Sequence, residues 1–253
     1  MSTRRAATAT APCAASPRPA SPPVTTIEPA GAGGERGRID ELITAGELVA
    51  QSRASAMVVE LLAPQPGERV LDLCAGPGVK AGQIAAALGE GGAGLVAVER
   101  DPGRARELRG MLDRLGAAAA SVENADATEP RAAAGFDAVL VDPPCSGLGT
   151  LASRPDARWR RRPEQIEAMA ATAERILDRA LTASGAAGRV IYSTCTISRR
   201  ENEAVIAAAG ARVADLAADP ALAPLAAPGE RRCLQTRNDR DRTDGFFVAA
   251  LRR

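Results

Sequence analysis

The sequence predicts an α/β protein built on a doubly wound, mostly parallel sheet. From residue 38 onward, short apolar runs typical of strands alternate with helical patterns of about 10 to 20 residues. Glycine or an acid follows several of the strand-like runs, as at the ligand-binding edge of a parallel sheet. Only 2% of the residues are aromatic whereas 45% are hydrophobic, so the core must consist mainly of Ala, Val, Leu and Ile.

The predicted elements follow one another without an internal repeat. An amphipathic helix over residues 39–62 ends at the turn-forming "APQPGER". Gly116 is the predicted C-cap of one of the later helices. Strands are predicted at residues 69–75, 94–100, 119–126, 136–144, 188–196 and 244–253, and helices at residues 77–89, 101–116, 162–183 and 198–211.

The chain divides into a tail and one folded domain. Residues 1–37 are rich in Ala, Pro, Ser and Gly and are predicted to be disordered, and residues 38–253 form the domain. The tail lacks the continuous apolar segment of a signal peptide, and no run approaches the roughly 20 apolar residues of a membrane span. Five widely spaced cysteines without a CxxC predict a reduced, cytoplasmic protein with no disulfide framework and no metal site.

The segment "CAGPGVK", residues 74–80, follows the first predicted strand with small residues that let a ligand approach the backbone. Alone, such a loop is more often a tight turn, and it matches neither the dinucleotide fingerprint nor a phosphate loop. Glu99 and Asp126 follow the next two strands, where they can accept ribose hydroxyls and an adenine amino group. Together these strand ends favour an adenosine-containing ligand, and without a phosphate cradle S-adenosylmethionine suits best.

Two further strand ends carry thiols. Asp142-Pro-Pro is followed by Cys145, where an aromatic residue would instead suggest an amino-methyltransferase that stacks its ring on a flipped base. Cys195 suits attack on carbon 6 of a pyrimidine, which activates carbon 5, and a helix after it is predicted to lower its pKa. Each cysteine alone is more often a buried apolar residue. The absence of histidine excludes an imidazole base, a Ser-His-Asp triad and a His-based zinc site.

Four segments in order resemble the successive motifs of the Sun/RsmB (Fmu, NOL/NOP/Sun) family of S-adenosylmethionine-dependent RNA cytosine-5 methyltransferases. They are "LDLCAGPGVK", "VDPPCSGLGTLASRPDARWRRRPEQI", "VIYSTCTISRRENEAVI" and "TDGFFVAALRR". The resemblance implies a Rossmann-like class I methyltransferase fold with seven strands, the last one antiparallel. It also implies methyl transfer to carbon 5 of cytosine in ribosomal or transfer RNA through a covalent cysteine adduct, with S-adenosylhomocysteine as the product.

The resemblance assigns roles to individual residues. Cys195 is then the nucleophile, Cys145 promotes release of the adduct, and Asp142 orients the base, either as a carboxylic acid near ring nitrogen 3 or through the exocyclic amine. DNA cytosine-5 methyltransferases instead use the Pro-Cys thiol as the nucleophile. The residues implied in cofactor binding are Cys74, Ala75, Gly76, Pro77, Gly78, Val79, Lys80, Glu99, Asp126 and Asp142.

The chain departs from the family at two points. Val79 and Ala81 stand where the family usually has Gly and Thr, which predicts a tighter methionine end of the pocket or weaker cofactor binding. Bacterial members commonly carry an N-terminal RNA-binding helical domain, for which this sequence has no room. A catalytically silent RNA-binding paralogue and an amino-methyltransferase are therefore kept as alternatives.

An arginine-rich segment is the predicted RNA contact. A net charge of +1 gives no overall attraction to nucleic acid, so the contact must be a local patch. Arginines contact phosphates and a tryptophan can stack on bases, although the alternatives are a solvated face and a core anchor. The partner is predicted to be RNA, with no membrane contact and a monomeric state. The predicted RNA-binding residues are Arg154, Arg158, Trp159, Arg160, Arg161 and Arg162, and the loop at residues 231–243 is predicted to line the same cleft.

Overall fold

The computed structural model describes residues 34–45 and 48–253. Its strands are β1 (Val70–Asp72), β2 (Leu95–Glu99), β3 (Ser121–Asn124), β4 (Phe136–Val141), β5 (Ser184–Thr194), β6 (Arg212–Ala214), β7 (Leu234–Gln235) and β8 (Phe247–Arg252). They form one sheet in the order β3-β2-β1-β4-β5-β8-β6, and β7 pairs with β8 off this path.

The direction of the strands confirms the predicted fold class. Strands β1 to β5 pair in parallel, whereas β8 runs antiparallel to both β5 and β6. The predicted seven strands lie on the main path, and the two-residue β7 adds an eighth. Strands β6 and β7 are not predicted individually, because neither lies in a continuous apolar run such as the one that predicts the similarly short β1.

The helices follow the predicted alternation with the strands, except that the helix predicted over residues 39–62 is divided. They are α1 (Gly34–Ala45), α2 (Arg53–Leu62), α3 (Val79–Leu88), α4 (Pro102–Arg114), α5 (Ala157–Arg160), α6 (Pro163–Ala183), α7 (Glu203–Ala208) and α8 (Asn238–Asp241). As predicted, Gly116 ends the α4 segment, with a positive φ of 72° that favours glycine.

The predicted single helix over residues 39–62 is wrong. The structure has α1 and α2 instead, separated by residues that include the non-helical stretch 48–52. The Ser52 side chain accepts a hydrogen bond from the Ser55 N–H, which favours a new helix start at this point. Helix α1 begins at Gly34, inside the predicted tail, whereas residues 1–33 lie outside the described range, so their predicted disorder stays a prediction.

Helices cover both faces of the sheet. Alternate residues of β4 point to opposite sides: Val139 packs with α6 and α7, whereas Leu140 packs with α2, α3 and α4. Both residues are fully buried, as expected for a parallel strand between two helical layers. Among the described residues, no helix is long and apolar enough to cross a membrane.

The parallel strands end at one edge of the sheet. The strand order reverses between β1 and β4, and such a switch point opens a crevice beyond the carboxyl ends of the strands. Residues 72–80, 99, 142–149 and 195 lie at or directly after these ends. The antiparallel β8 begins at the same edge and brings Gly245 and Phe246 beside them.

Leu177→Ala tests the α6 side of the core. Leu177 is fully buried in α6, so its truncation is expected to lower the free energy of unfolding by about 2 to 5 kcal/mol. Urea denaturation measures the change. The neighbouring exposed Asp178→Ala is the control and is expected to stay within about 0.5 kcal/mol of the wild type; equal losses in the two variants would contradict this packing.

Candidate active site

The loop between β1 and α3 is shaped by two glycines. A Cβ on Gly76 would overlap Oε2 of Glu99, so any larger residue would displace the end of this side chain. Gly78 precedes α3 with a φ of 116°, and a Cβ there would meet Leu108 and Met111 at 3.1 Å. The loop therefore forms a narrow backbone cradle against β2 and α4.

Glu99 is a buried acid at the end of β2. Its Oε1 accepts from the Asp101 N–H at 2.9 Å, and its Oε2 lies 3.7 Å from Nη2 of Arg104. The same guanidinium nitrogen donates to the Gly76 carbonyl at 2.6 Å. Arg104 thus bridges the acid and the glycine loop, and this part of the predicted cofactor site is a single connected unit.

Asp126 lies at the same edge, after β3. Its Oδ1 accepts from both the N–H and the hydroxyl of Thr128 at 2.8 Å. These two hydrogen bonds lower the pKa of Asp126, so the group is a carboxylate at neutral pH. Its side chain is 37% exposed, which leaves it accessible to a ligand from the open side of the sheet.

Asp72 is a candidate site residue that the sequence prediction missed. Burial, followed by the charge of Asp142, raises the pKa of Asp72 from 3.8 to about 7. Its Oδ1 accepts from the Cys74 N–H at 3.3 Å, but its buried Oδ2 has no hydrogen-bond partner among the described residues. The only signal in the sequence is an acid within the apolar strand "RVLDLC".

The rest of the predicted cofactor segment has no reactive group of its own. Burial and then Asp72 raise the pKa of the Cys74 thiol well above its ordinary value, so this cysteine is not a nucleophile at neutral pH. Ala75 is buried, Pro77 is exposed and Val79 is half-buried at the first position of α3. Ala81 belongs to α3 and is fully buried in the core.

Lys80 links this loop to the end of β4. Its Nζ lies 2.7 Å from Oδ2 of Asp142, whose Oδ1 accepts from the Ser193 hydroxyl at 3.1 Å. Burial disfavours the charged lysine, but the adjacent carboxylate outweighs burial and raises the pKa of Lys80 above its ordinary value. The ammonium also lies 5.1 Å from the centre of the Phe246 ring. An ion pair therefore stands in the crevice between the glycine loop and the two cysteine loops.

The two cysteine loops meet in space. The Sγ atoms of Cys145 and Cys195 are 3.4 Å apart, although the residues are 50 positions apart in the sequence. The hydrogen bond from Cys145 lowers the pKa of Cys195, against the effect of burial, and the Lys80 ammonium acts in the same direction. The same hydrogen bond and burial raise the pKa of Cys145 well above its ordinary value. The pair therefore combines a less acidic thiol, Cys145, with a more acidic thiol, Cys195.

The predicted cause of this acidity was wrong. Helix α7 begins only at Glu203, and its six residues form no helix terminus next to Cys195. Residues 196–202 run as loop and turn instead. The Cys145 thiol and the Lys80 ammonium, which come from other elements, replace the predicted helix dipole.

The arginine-rich segment lies beside the Cys145 loop, and its residues differ in their contacts. Nε of Arg161 donates to the Ser146 carbonyl at 2.7 Å, which ties the segment to this loop. Arg160 pairs with Asp156 at 3.1 Å. Within this segment, the exposed arginines that form no ion pair with another described residue are Arg154, Arg158 and Arg162.

Trp159 is a surface residue. Its side chain is 79% exposed, and the Arg158 guanidinium lies 4.6 Å from the centre of its ring. The alternative that Trp159 anchors the core is therefore wrong. An exposed indole next to a cation offers a stacking surface of the kind that binds unpaired bases.

A polar cleft of about 410 Å³ lies beside the residues that follow Gly149 and those that precede Gly245. The Gly149 N–H donates to the Cys195 carbonyl at 2.9 Å, and the Gly149 carbonyl accepts from the Gly245 N–H at 2.8 Å. A Cβ on Gly149 would overlap the Gly245 carbonyl, so these two segments of the backbone are in direct contact. The cleft is lined by Gln51, Ser52, Arg53, Ala152, Ser153, Asn238, Arg242, Thr243 and Asp244, which include part of the predicted loop 231–243.

Comparison with known proteins identifies relatives over most of the chain. Residues 59–252 match a family model described as 16S rRNA methyltransferase RsmB/F. A putative methyltransferase from Mycobacterium tuberculosis is 36% identical over 231 residues, which cover 87% of this chain and 49% of the relative. Ribosomal RNA small subunit methyltransferase B from Thermus thermophilus is 37% identical over 209 residues, which cover 80% of this chain and 49% of the relative. The chain spans about half the length of the curated relatives it matches.

Solved structures agree with this result. The crystal structure of PH0851 superposes with a TM-score of 0.79 at 28% identity and covers 85% of this chain and 49% of that one. The crystal structure of NSun6 from Pyrococcus horikoshii with SFG, an analogue of S-adenosylmethionine, has a TM-score of 0.73 at 25% identity. It covers 84% of this chain and 54% of that one.

Asp72→Asn is expected to change how stability depends on pH. Because folding raises the pKa of Asp72 from 3.8 to about 7, the unfolded chain loses this proton first as the pH rises. The contribution of Asp72 is therefore greatest below about pH 4 and falls until about pH 7, by on the order of 4 kcal/mol. Urea unfolding across this range should show a steeper loss of stability with rising pH in the wild type than in Asp72→Asn. The exposed Asp178→Asn serves as the control; equal slopes in the wild type and Asp72→Asn would contradict the assignment.

Proposed function

Because the chain belongs to the 16S rRNA methyltransferase RsmB/F family, we propose that it methylates carbon 5 of a cytosine in ribosomal RNA. The observation that carries the proposal is the contact between Cys145 and Cys195, beside the Lys80–Asp142 ion pair. A thiol pair of unequal acidity at the open end of the sheet suits a reaction in which one sulfur attacks and the other assists its departure.

The residues at the sheet edge fit S-adenosylmethionine. The Gly76 and Gly78 cradle admits a ligand close to the backbone, and Glu99 and Asp126 supply carboxylates for its ribose and adenine. The buried Oδ2 of Asp72 has no hydrogen-bond partner within the part of the chain that the structure describes, and the ligand carries an ammonium group that can provide one. When bound there, S-adenosylmethionine supplies an electrophilic methyl group.

Cys195 is the proposed nucleophile. Its sulfur adds to carbon 6 of the cytosine, which raises the electron density at carbon 5, the atom that is methylated. Lys80 favours the thiolate form, and the Cys145 thiol donates a hydrogen bond to it. Cys145 is a poorer nucleophile because its own pKa is raised.

Asp142 is proposed to orient the base as a hydrogen-bond acceptor. Its Oδ2 already accepts from the Lys80 ammonium at 2.7 Å and its Oδ1 from the Ser193 hydroxyl at 3.1 Å, so both oxygens face donors. The exocyclic amine of cytosine is a donor of matching type, and Asp142 remains 24% exposed to receive it. Of the two predicted modes, contact through the exocyclic amine is the one that the ion pair favours.

Cys145 is proposed to assist release of the product. After carbon 5 has lost its proton, the bond from carbon 6 to the Cys195 sulfur breaks, and the electron pair returns to that sulfur. A thiol held 3.4 Å away stabilises the departing thiolate by hydrogen bonding. An amino-methyltransferase gains no support here, because Cys145 provides no ring to stack on the base.

RNA is proposed to lie across the arginine-rich segment and the polar cleft. Arg154, Arg158 and Arg162 are available for phosphates, and Trp159 for stacking on an unpaired base. The cleft adds Arg53 and Arg242. Arg161 ties the arginine-rich segment to the Cys145 loop, and the cleft is lined by Ala152 and Ser153, which follow that loop in the sequence. A target base held between these two surfaces is proposed to reach Cys195.

Substitution of each cysteine tests the reaction. With ribosomal RNA and S-adenosylmethionine, Cys145→Ala is expected to accumulate a protein–RNA adduct on a denaturing gel, because its release is slowed. Cys195→Ala is expected to form no adduct and to leave no bisulfite-resistant cytosine in the RNA. The control is Cys233→Ala, which replaces a thiol buried in the core. An adduct in Cys195→Ala together with none in Cys145→Ala would reverse the two roles.

The double substitution Arg154→Ala/Arg158→Ala tests the RNA surface. Each lost phosphate contact is expected to weaken binding and to reduce the slope of log affinity against log salt concentration by about 0.7 for single-stranded RNA. Filter binding over a series of salt concentrations measures both quantities. Arg114→Ala, at the far end of α4, is the matched control. If the control and the double variant bound RNA alike, the segment would not be the RNA contact.

A further inference from the structure

A single buried carboxylate joins the two cysteine loops. The Glu201 side chain accepts from the residues that directly follow Cys145 and Cys195 in the sequence. Its Oε1 accepts from the Ser146 N–H at 2.6 Å, and its Oε2 lies 2.5 Å from the Ser146 hydroxyl and 3.3 Å from the Thr196 hydroxyl. The two hydroxyl oxygens are themselves 2.8 Å apart. One N–H and two hydroxyl groups, contributed by two distant loops, therefore meet at one acid.

Glu201 is held firmly to the end of β5. Its backbone carbonyl accepts from the hydroxyl of the fully buried Tyr192 at 2.5 Å. The following residue, Asn202, accepts from Thr194 at 2.6 Å and donates to the Thr196 carbonyl at 3.0 Å. The carboxylate therefore extends from a backbone segment that is held in place, and the two cysteine loops are positioned relative to it.

The groups that contact the Glu201 side chain require a hydrogen-bond acceptor. Glu201 is 1% exposed, and none of the ion pairs among residues 48–253 includes it. Burial of such a group is costly unless hydrogen bonds compensate for lost water. A carboxylate has two oxygens that only accept, so it can satisfy the N–H and the hydroxyls together. A neutral amide brings donors of its own and satisfies the same groups less completely.

We propose that Glu201 is a positioning residue that holds Cys145 and Cys195 in contact and thereby keeps the attacking thiol reactive. The importance of this contact for methylation rests on the proposed function, but the contact itself is a property of the free protein. Because each cysteine is covalently joined to a residue bonded to Glu201, drift of either loop separates the two sulfur atoms.

The direction in which the pKa of Cys195 changes when Glu201 is replaced distinguishes a positioning role from a purely electrostatic one. The groups that face Cys195 are Cys145 and Asp142 from the loop after β4 and Lys80 from α3. Removing a nearby negative charge alone would make the Cys195 thiolate easier to form and lower its pKa. Loss of the hydrogen bond from Cys145 has the opposite effect and raises the pKa of Cys195.

The test measures the rate at which iodoacetamide alkylates Cys195 as a function of pH, with the modified residue identified by mass spectrometry. Glu201→Ala is expected to shift the profile to higher pH, and reaction below the pKa slows about tenfold for each pKa unit. Glu201→Gln keeps one acceptor for the Ser146 N–H, so it is expected to shift the profile in the same direction by less. If Glu201→Ala does not fold, Glu201→Gln gives the result alone.

Two further variants control the experiment. Glu174→Gln removes a carboxylate that bonds to Arg200, the neighbour of Glu201, without touching either cysteine loop, and is expected to keep the wild-type profile. In a Cys145→Ala background, Glu201→Ala is expected to add no further shift, because the hydrogen bond in question is already absent. A lower or unchanged pKa of Cys195 in both Glu201 variants would overturn the proposal.

Failure of this proposal can be told apart from failure of the proposed function. Alkylation requires neither RNA nor S-adenosylmethionine. A shifted profile in a protein that never methylates RNA would uphold the role of Glu201 and refute the reaction. RNA methylation by a wild type whose Glu201 variants show an unshifted profile would refute the positioning role alone.

Discussion

The parallel pairing of β4 with β1 and β5 is the constraint on which the site depends. Side chains at the ends of these strands would lie far apart in an extended chain, and only parallel pairing brings them to one edge. Asp72, Asp142 and Cys195 all come from this edge. The antiparallel β8 then closes the far side, because it delivers Gly245 against Gly149. The crevice is therefore a consequence of strand order, which also places the two helical layers on opposite faces.

Burial gives the groups in this crevice their chemistry. Asp72 and Asp142 are close enough to influence each other, but among the described residues the ion pair of Lys80 is with Asp142. The consequence is a buried acid, Asp72, whose pKa is raised to about 7, next to the Lys80–Asp142 ion pair. The same lysine favours the thiolate of Cys195, so a single ammonium serves both the proposed base-orienting acid and the proposed nucleophile. Loss of Lys80 would therefore disturb two proposed functions together.

Much of the candidate site could be predicted because its residues lie in continuous motifs. The loop 74–80 and the strand-end residues Glu99, Asp126, Asp142, Cys145 and Cys195 occupy the predicted edge of the sheet. The missed residues are those whose partners are remote: Asp72 looks like part of an apolar strand, and Glu201 looks like the start of a helix. The exposure of Trp159 was likewise undecided, because an isolated aromatic residue suits a core and a surface equally well.

The sequence by itself determined the alternation of strands and helices, the absence of any imidazole chemistry and the family to which the motifs belong. These properties are local, since they depend on residue type and on spacing within short segments. Only the tertiary structure decided that Cys145 and Cys195 are in contact, that Lys80 replaces a helix dipole as the source of positive charge, and that Glu201 joins the two loops. The physical reason is that hydrogen bonds and electrostatic interactions act over a few ångströms of space, and residues 50 positions apart become neighbours only when the sheet has formed.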